Sequence, residues 1–109
     1  MAELDSDRRA EVVIDTRLDP TGAPIVIVSG ELDISTAPSL EAIVASLTAE
    51  HPERLIFDLS DLRFMDSAGI AVLIGAAAKV NAVRLRNPSQ TIRRVVEITG
   101  LSAVLPIES

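Results

Sequence analysis

Residues 55–70 (Leu-Ile-Phe-Asp-Leu-Ser-Asp-Leu-Arg-Phe-Met-Asp-Ser-Ala-Gly-Ile) constrain the fold more than any other part of the chain. The β-formers from Leu55 to Leu59 predict a buried strand. Asp58, Asp61 and Asp66 then mark an acidic loop, and the uncharged apolar run from Ala68 to Ala78 predicts a helix. Ser67 stands where that helix begins. Serine is a favoured N-cap because its oxygen accepts from an orphan amide of the first turn. A hydroxyl held at the positive end of a helix suits a nucleophile, an anion contact or a phosphorylation site.

The remaining punctuation extends this strand–loop–helix unit into an α/β domain. Glu11 to Leu18 alternates as a first strand, and Asp19-Pro20-Thr21-Gly22 is a turn. Pro24 to Ser29 forms a second strand, so the first two make an antiparallel hairpin. Gly30 ends that strand. Glu31 to Thr36 is a polar loop, with Ser35 or Thr36 as the cap of a helix carrying Pro38 in its first turn. Leu40, Ile43, Val44 and Leu47 recur at helical spacing, and His51-Pro52 stops the run. A third strand covers about Arg54 to Leu59, and a fourth Val83 to Arg86. The helix Gln90 to Ile98 follows Asn87-Pro88-Ser89 and ends before Gly100. Val104 to Ile107 reads as a last edge strand, because Pro106 is tolerated only at an edge. The order β-β-α-β-α-β-α-β predicts a mostly parallel mixed sheet with right-handed crossovers. Met1 to Ala10 reads as a flexible charged tail, and residues 11–109 as one domain.

Composition removes several function classes. Net charge is −6, nine of the ten basic residues are Arg, and the only aromatics are Phe57 and Phe64. Such a surface offers little to a phosphate backbone or to stacked bases, which argues against nucleic-acid binding. Without cysteine there is neither thiolate chemistry nor a disulfide. The longest apolar run falls short of the roughly 20 residues a membrane span requires. The N-terminus lacks an apolar signal core, so a soluble cytoplasmic protein is expected.

Catalysis by Ser67 is not supported. Met65-Asp66-Ser67-Ala68-Gly69 resembles the G-x-S-x-G elbow with its first glycine replaced, and the single histidine, His51, reads as an exposed helix-end residue. Asp58, Asp61 and Asp66 do not have the spacing of a calcium loop, and no phosphate-binding glycine loop is present, so neither a metal nor a cofactor is expected. The Ala68–Ala78 helix has no polar face. Either small residues (Ala71, Gly75, Ala78) face solvent, or the helix forms a docking surface beside Ser67.

Five segments carry a family resemblance: Ser29-Gly30-Glu31-Leu32-Asp33, Leu55 to Ser60, Phe64-Met65-Asp66-Ser67-Ala68-Gly69-Ile70, Asn87-Pro88-Ser89 and Ile98-Thr99-Gly100-Leu101. Together they resemble the anti-sigma factor antagonists of the STAS family, over about residues 11 to 107. The resemblance implies a STAS-like fold and a non-enzymatic partner-switching role in transcription regulation and stress response. The unphosphorylated antagonist would bind an anti-sigma factor, an ATP-dependent serine kinase, and so release a sigma factor. Phosphorylation at Ser67 would switch it off, and a phosphatase would reset it. Asp33, Ser35, Thr36, Asp66, Ser67, Ala68, Gly69 and Ile70 are the expected partner-binding residues. The alternative is a STAS module in another assembly, a stress-signalling or a lipid-transport complex. Between Gly69 and Pro88 the chain is several residues shorter than the family pattern, which predicts a second helix reduced by about a turn.

Overall fold

The computed structural model describes residues 11–108; the tail assigned to Met1–Ala10 lies outside the described residues. Along the chain run β1 (Val12–Leu18), β2 (Pro24–Leu32), α1 (Ala37–Thr48), β3 (Arg54–Asp58), β4 (Leu62–Met65), α2 (Ser67–Ala77), β5 (Ala82–Arg86), α3 (Gln90–Ile98) and β6 (Ile107–Glu108). The sheet is ordered β1-β2-β3-β5-β6, with β4 pairing β2 off this path. Among the described strands only β1 is antiparallel to its neighbour; β3 and β4 pair β2 in parallel, and β5 pairs β3 and β6 in parallel. This is the expected small α/β domain, with the hairpin at one edge.

Alternation decides which residues enter the core. Val26, Val28, Leu55, Phe57, Val83 and Leu85 point to one face of the sheet and are buried with Leu40 and Val44 of α1, Val72 and Leu73 of α2, and Ile92 and Val96 of α3. An aliphatic core with Phe57 fully buried at its centre follows from a sequence that holds only two aromatics. At about 25 cal/mol per Å² of apolar surface removed from water, burial of side chains of this kind is the dominant stabilising term.

Three expectations need correction. The stretch after β3 is not simply a loop. Leu62–Met65 forms β4, pairing Gly30↔Leu62, Glu31↔Phe64 and Leu32↔Met65. The first part of β2 pairs β3 through Ile25, Val26 and Ile27, and its last part pairs β4. The chain jogs between these strands at a turn closed by Leu62 N–H donating to Leu59 O at 3.1 Å. Asp58 and Asp61 build that jog: the Asp58 carboxylate accepts from the Ser60 hydroxyl at 2.7 Å, and Asp61 O accepts from Gly30 N–H at 3.1 Å. The second correction is at the C-terminal edge, where Val104 lies in a turn and the strand is only Ile107–Glu108. Leu101 O accepts from Val104 N–H and Leu105 N–H, and Leu105 is buried, so the chain stays curled until Pro106.

The strand end expected at Gly30 is also corrected: β2 runs on to Leu32, and Gly30 makes a bend in it possible. Its φ is +98°, and a Cβ there would stand 2.3 Å from Glu11 O, a clash with backbone that no rotamer relieves. At this point the β2–β4 register shifts, and beyond it Leu32 packs against Gly69 at the start of α2.

Candidate functional site

The start of α2 is tied to the end of β2. Asp66 N–H donates to Leu32 O at 3.1 Å, which extends the parallel pairing by one step. The chain then turns into the helix, with Asp66 extended at φ −108°, ψ −168°. Asp66, not Ser67, is the N-cap: its Oδ1 accepts from Ala68 N–H at 2.9 Å, and its carbonyl accepts from Ile70 N–H at 3.1 Å. The expected serine cap is therefore corrected by one residue. Aspartate and serine are both good caps, and the strand pairing of Asp66 selects it because it leaves that residue extended. Ser67 becomes the first helical residue, exposed, and no described residue hydrogen-bonds its hydroxyl.

Gly69 lets α2 sit this close to the sheet. A Cβ on it would lie 2.7 Å from Met65 Cγ and 2.8 Å from Leu32 Cδ2 and Cγ. Any side chain would lift the first turn of α2 off β2 and β4.

The loop before α1 forms the other wall. The Asp33 carboxylate Oδ1 accepts from Ser35 N–H at 2.9 Å, the Ser35 hydroxyl at 2.7 Å and Thr36 N–H at 3.1 Å. Thr36 occupies the N-cap position but makes no side-chain cap bond. Its hydroxyl instead donates to Glu31 O at 2.8 Å and accepts from Asp33 N–H at 2.9 Å. The side-chain cap expected of Ser35 or Thr36 is thus absent: the Asp33 carboxylate forms a turn ahead of the helix, and the first helical amide, Ala37 N–H, donates to the Asp33 carbonyl at 2.8 Å. The hydroxyl of Ser35, followed by the other hydrogen bonds, holds the Asp33 carboxyl below its ordinary pKa.

Between these walls α1 and α2 leave a groove of about 280 Å³ lined by Ile34, Ala37, Pro38, Glu41, Ala68, Ala71 and Val72. Ile34 is 80% exposed at its rim. Along the outer side of α2, Ser67, Ala71, Ile74 and Ala78 are exposed, with Ile70 half-buried. The exposed side of α2 therefore carries Ile74, a large apolar residue, besides the small ones.

Of the residues singled out from the sequence, Ser35 and Ser67 are exposed, and Asp33, Asp66, Ala68 and Ile70 are half-buried around them. Thr36 and Gly69 are buried, so they shape this surface rather than face a partner. Sequence reasoning missed Ile34 and Glu41, and it reached Ala71 and Ile74 only as part of a helix that could dock a partner. An isoleucine in a polar loop was the available signal for the first of these. His51 lies just before the N-terminal end of β3, whereas Ser67 follows the C-terminal ends of β2 and β4, so the two do not form a dyad. Among the described residues no cluster of three His, Asp or Glu could hold a metal, and no helix is long and apolar enough to cross a membrane.

Comparison with known proteins gives a consistent result. The family model described as the STAS domain matches residues 14–109. An anti-sigma-B factor antagonist of Bacillus subtilis is 33% identical over 88 residues, covering 77% of this chain and 80% of that protein. The anti-sigma-F factor antagonist RsfB of Mycobacterium tuberculosis is 32% identical over 65 residues, 60% of this chain and 53% of its own length, so the match spans about half of that relative. The crystal structure of an anti-sigma factor antagonist from Mycobacterium paratuberculosis superposes with a TM-score of 0.81 at 30% identity, covering 89% of this chain and 85% of that one.

Proposed function

The chain belongs to the STAS-domain family, and on that footing we propose that it is an anti-sigma factor antagonist switched at Ser67. The unphosphorylated chain binds an anti-sigma factor in the cytoplasm and so frees a sigma factor for RNA polymerase. The bound anti-sigma factor is an ATP-dependent serine kinase that phosphorylates Ser67, and a phosphatase restores the hydroxyl. One observation carries this reading: Asp66 does the capping, which leaves the Ser67 hydroxyl free and exposed beside an apolar groove.

The chemistry of such a switch follows from the local geometry. A phosphoserine carries about −1.5 to −2 charges near neutral pH. The amides of the first turn of α2 favour that charge, so the helix tolerates it. Asp66, whose carboxylate already occupies Ala68 N–H, repels it across the helix start. A partner whose apolar side chains enter the groove near Ile34, Ala68 and Ala71 would then have to desolvate a dianion at its edge. Phosphorylation thus removes the partner while the domain stays folded.

The test is a parallel capture from the native host on Ser67→Ala and Ser67→Glu baits, with the candidate anti-sigma factor then purified and titrated. Retention by the alanine bait and at least a tenfold loss by the glutamate bait are expected. Equal affinity for both baits overturns the charge switch. Recovery of transporter or scaffold subunits in place of an anti-sigma factor overturns the assignment of partner.

A further inference from the structure

We infer that the β1 edge is a self-association surface, on which a second copy of this chain pairs antiparallel to continue the sheet. Among the described residues β1 is the outermost strand; it is seven residues long and contains neither proline nor lysine. Such an edge is a template for another strand unless charge or distortion blocks it. Its hydrogen-bonding groups can be sorted by parity. Glu11 O accepts from Glu31 N–H and Asp19 N–H donates to Ala23 O, so odd-numbered residues face β2. The N–H and C=O groups of Val12, Ile14, Thr16 and Leu18 therefore point away from the sheet. Consistent with this, Thr16 N–H turns outward and, among the described residues, donates only to Oδ1 of its neighbour Asp15, at 2.9 Å.

Charge then selects the register. With a two-fold axis at Thr16, Thr16 faces Thr16, Ile14 faces Leu18, and Asp15 faces Arg17 of the second copy. This register pairs the outward-facing residues with one another, as an antiparallel ladder requires. It sets opposite charges across from each other in both halves of the interface and covers Leu18, which is 71% exposed. Moving the axis to Asp15 or Arg17 places like charges opposite each other, whereas moving it to Ile14 or Leu18 leaves Asp15 opposite Val13 or Thr21, without an opposite charge. Within one chain Arg17 and Asp15 approach only to 3.7 Å and stay 70% and 62% exposed, so little holds them from exchanging partners. No β1 residue lines the groove beside Ser67, so pairing would leave that groove open on both copies. A short two-strand contact of this kind is a weak, salt-sensitive dimer.

The experiment is sedimentation equilibrium of the full chain from about 10 µM to about 1 mM, using wild type, Asp15→Arg, Arg17→Asp and an equimolar mixture of the two variants. The wild type is expected to dimerise reversibly. Each variant alone sets like charges opposite each other, and its dimerisation should weaken at least tenfold. The mixture restores both opposite-charge pairs and should form a heterodimer. Because the chain has no cysteine, Thr16→Cys should oxidise to a cross-linked dimer, while Val13→Cys, far from its own copy in this register, should not. A wild type that stays monomeric throughout, single variants that dimerise as well as wild type, or equal cross-linking at Val13 would each overturn the proposal.

Discussion

Two helices of this domain begin with a serine beside a strand end, and the two serines have opposite fates. At the start of α3, Ser89 is the N-cap: its hydroxyl accepts from Ile92 N–H at 3.3 Å and lies 3.5 Å from Leu62 O. At the start of α2 the cap is Asp66, and the adjacent Ser67 is spared. Ser89 is half-buried and engaged by the fold, whereas Ser67 is exposed and without a described partner. Under the proposed function, the hydroxyl to be modified is the one that carries no capping duty. The preceding aspartate carries it here.

The contrast can be pressed hardest at the glycines of α2. Gly69→Ala forces a methyl against Met65 and Leu32 and should destabilise by about 1–3 kcal/mol. Gly75, with nothing within 4 Å of its would-be Cβ, should be neutral or stabilised by about 0.5–1 kcal/mol on the same substitution. Chemical denaturation of both variants reads the difference. If both lose stability equally, close approach is not the role of Gly69.

A smaller effect separates the caps from the free hydroxyl. Asp66→Ala and Ser89→Ala each remove a cap and should cost about 0.5–2 kcal/mol. Ser67→Ala removes an exposed group and should stay within about 0.5 kcal/mol. A loss at Ser67 as large as at Asp66 would erase the comparison. The smallest effect concerns Asp33, whose carboxyl is held below the ordinary aspartate pKa by the Ser35 hydroxyl and the turn amides. A lowered folded-state pKa stabilises above the unfolded value, and that contribution disappears as pH falls through the folded one. Carboxyl chemical shifts should therefore titrate at Asp33 below the ordinary aspartate range, and Ser35→Ala should raise the midpoint. An unchanged midpoint would remove Ser35 as the cause.

Much of the molecule was legible in local pattern. The strand at Arg54, the Gln90–Ile98 helix and the hairpin at one edge all follow from periodicity and from turn residues that act over a few positions. Five short segments sufficed to place the chain near its family, because each combines a special backbone with a special side chain. Other features were not legible. Leu62–Met65 carries too few residues to show alternation, and its strand character comes from pairing with β2, about thirty residues away in sequence. Ile34 looked like part of a polar loop until α1 and α2 were set side by side.

The sequence by itself determined the elements other than β4, the mostly parallel sheet, the aliphatic core and the presence of a serine at the head of an apolar helix. Tertiary structure decided which of two neighbouring capping residues would cap. Asp66 and Ser67 are locally equivalent candidates. The hydrogen bond from Asp66 N–H to Leu32 O holds the first extended and sends the second into the helix. That bond joins residues far apart in sequence, so no local rule could supply it, and it is what leaves the Ser67 hydroxyl free.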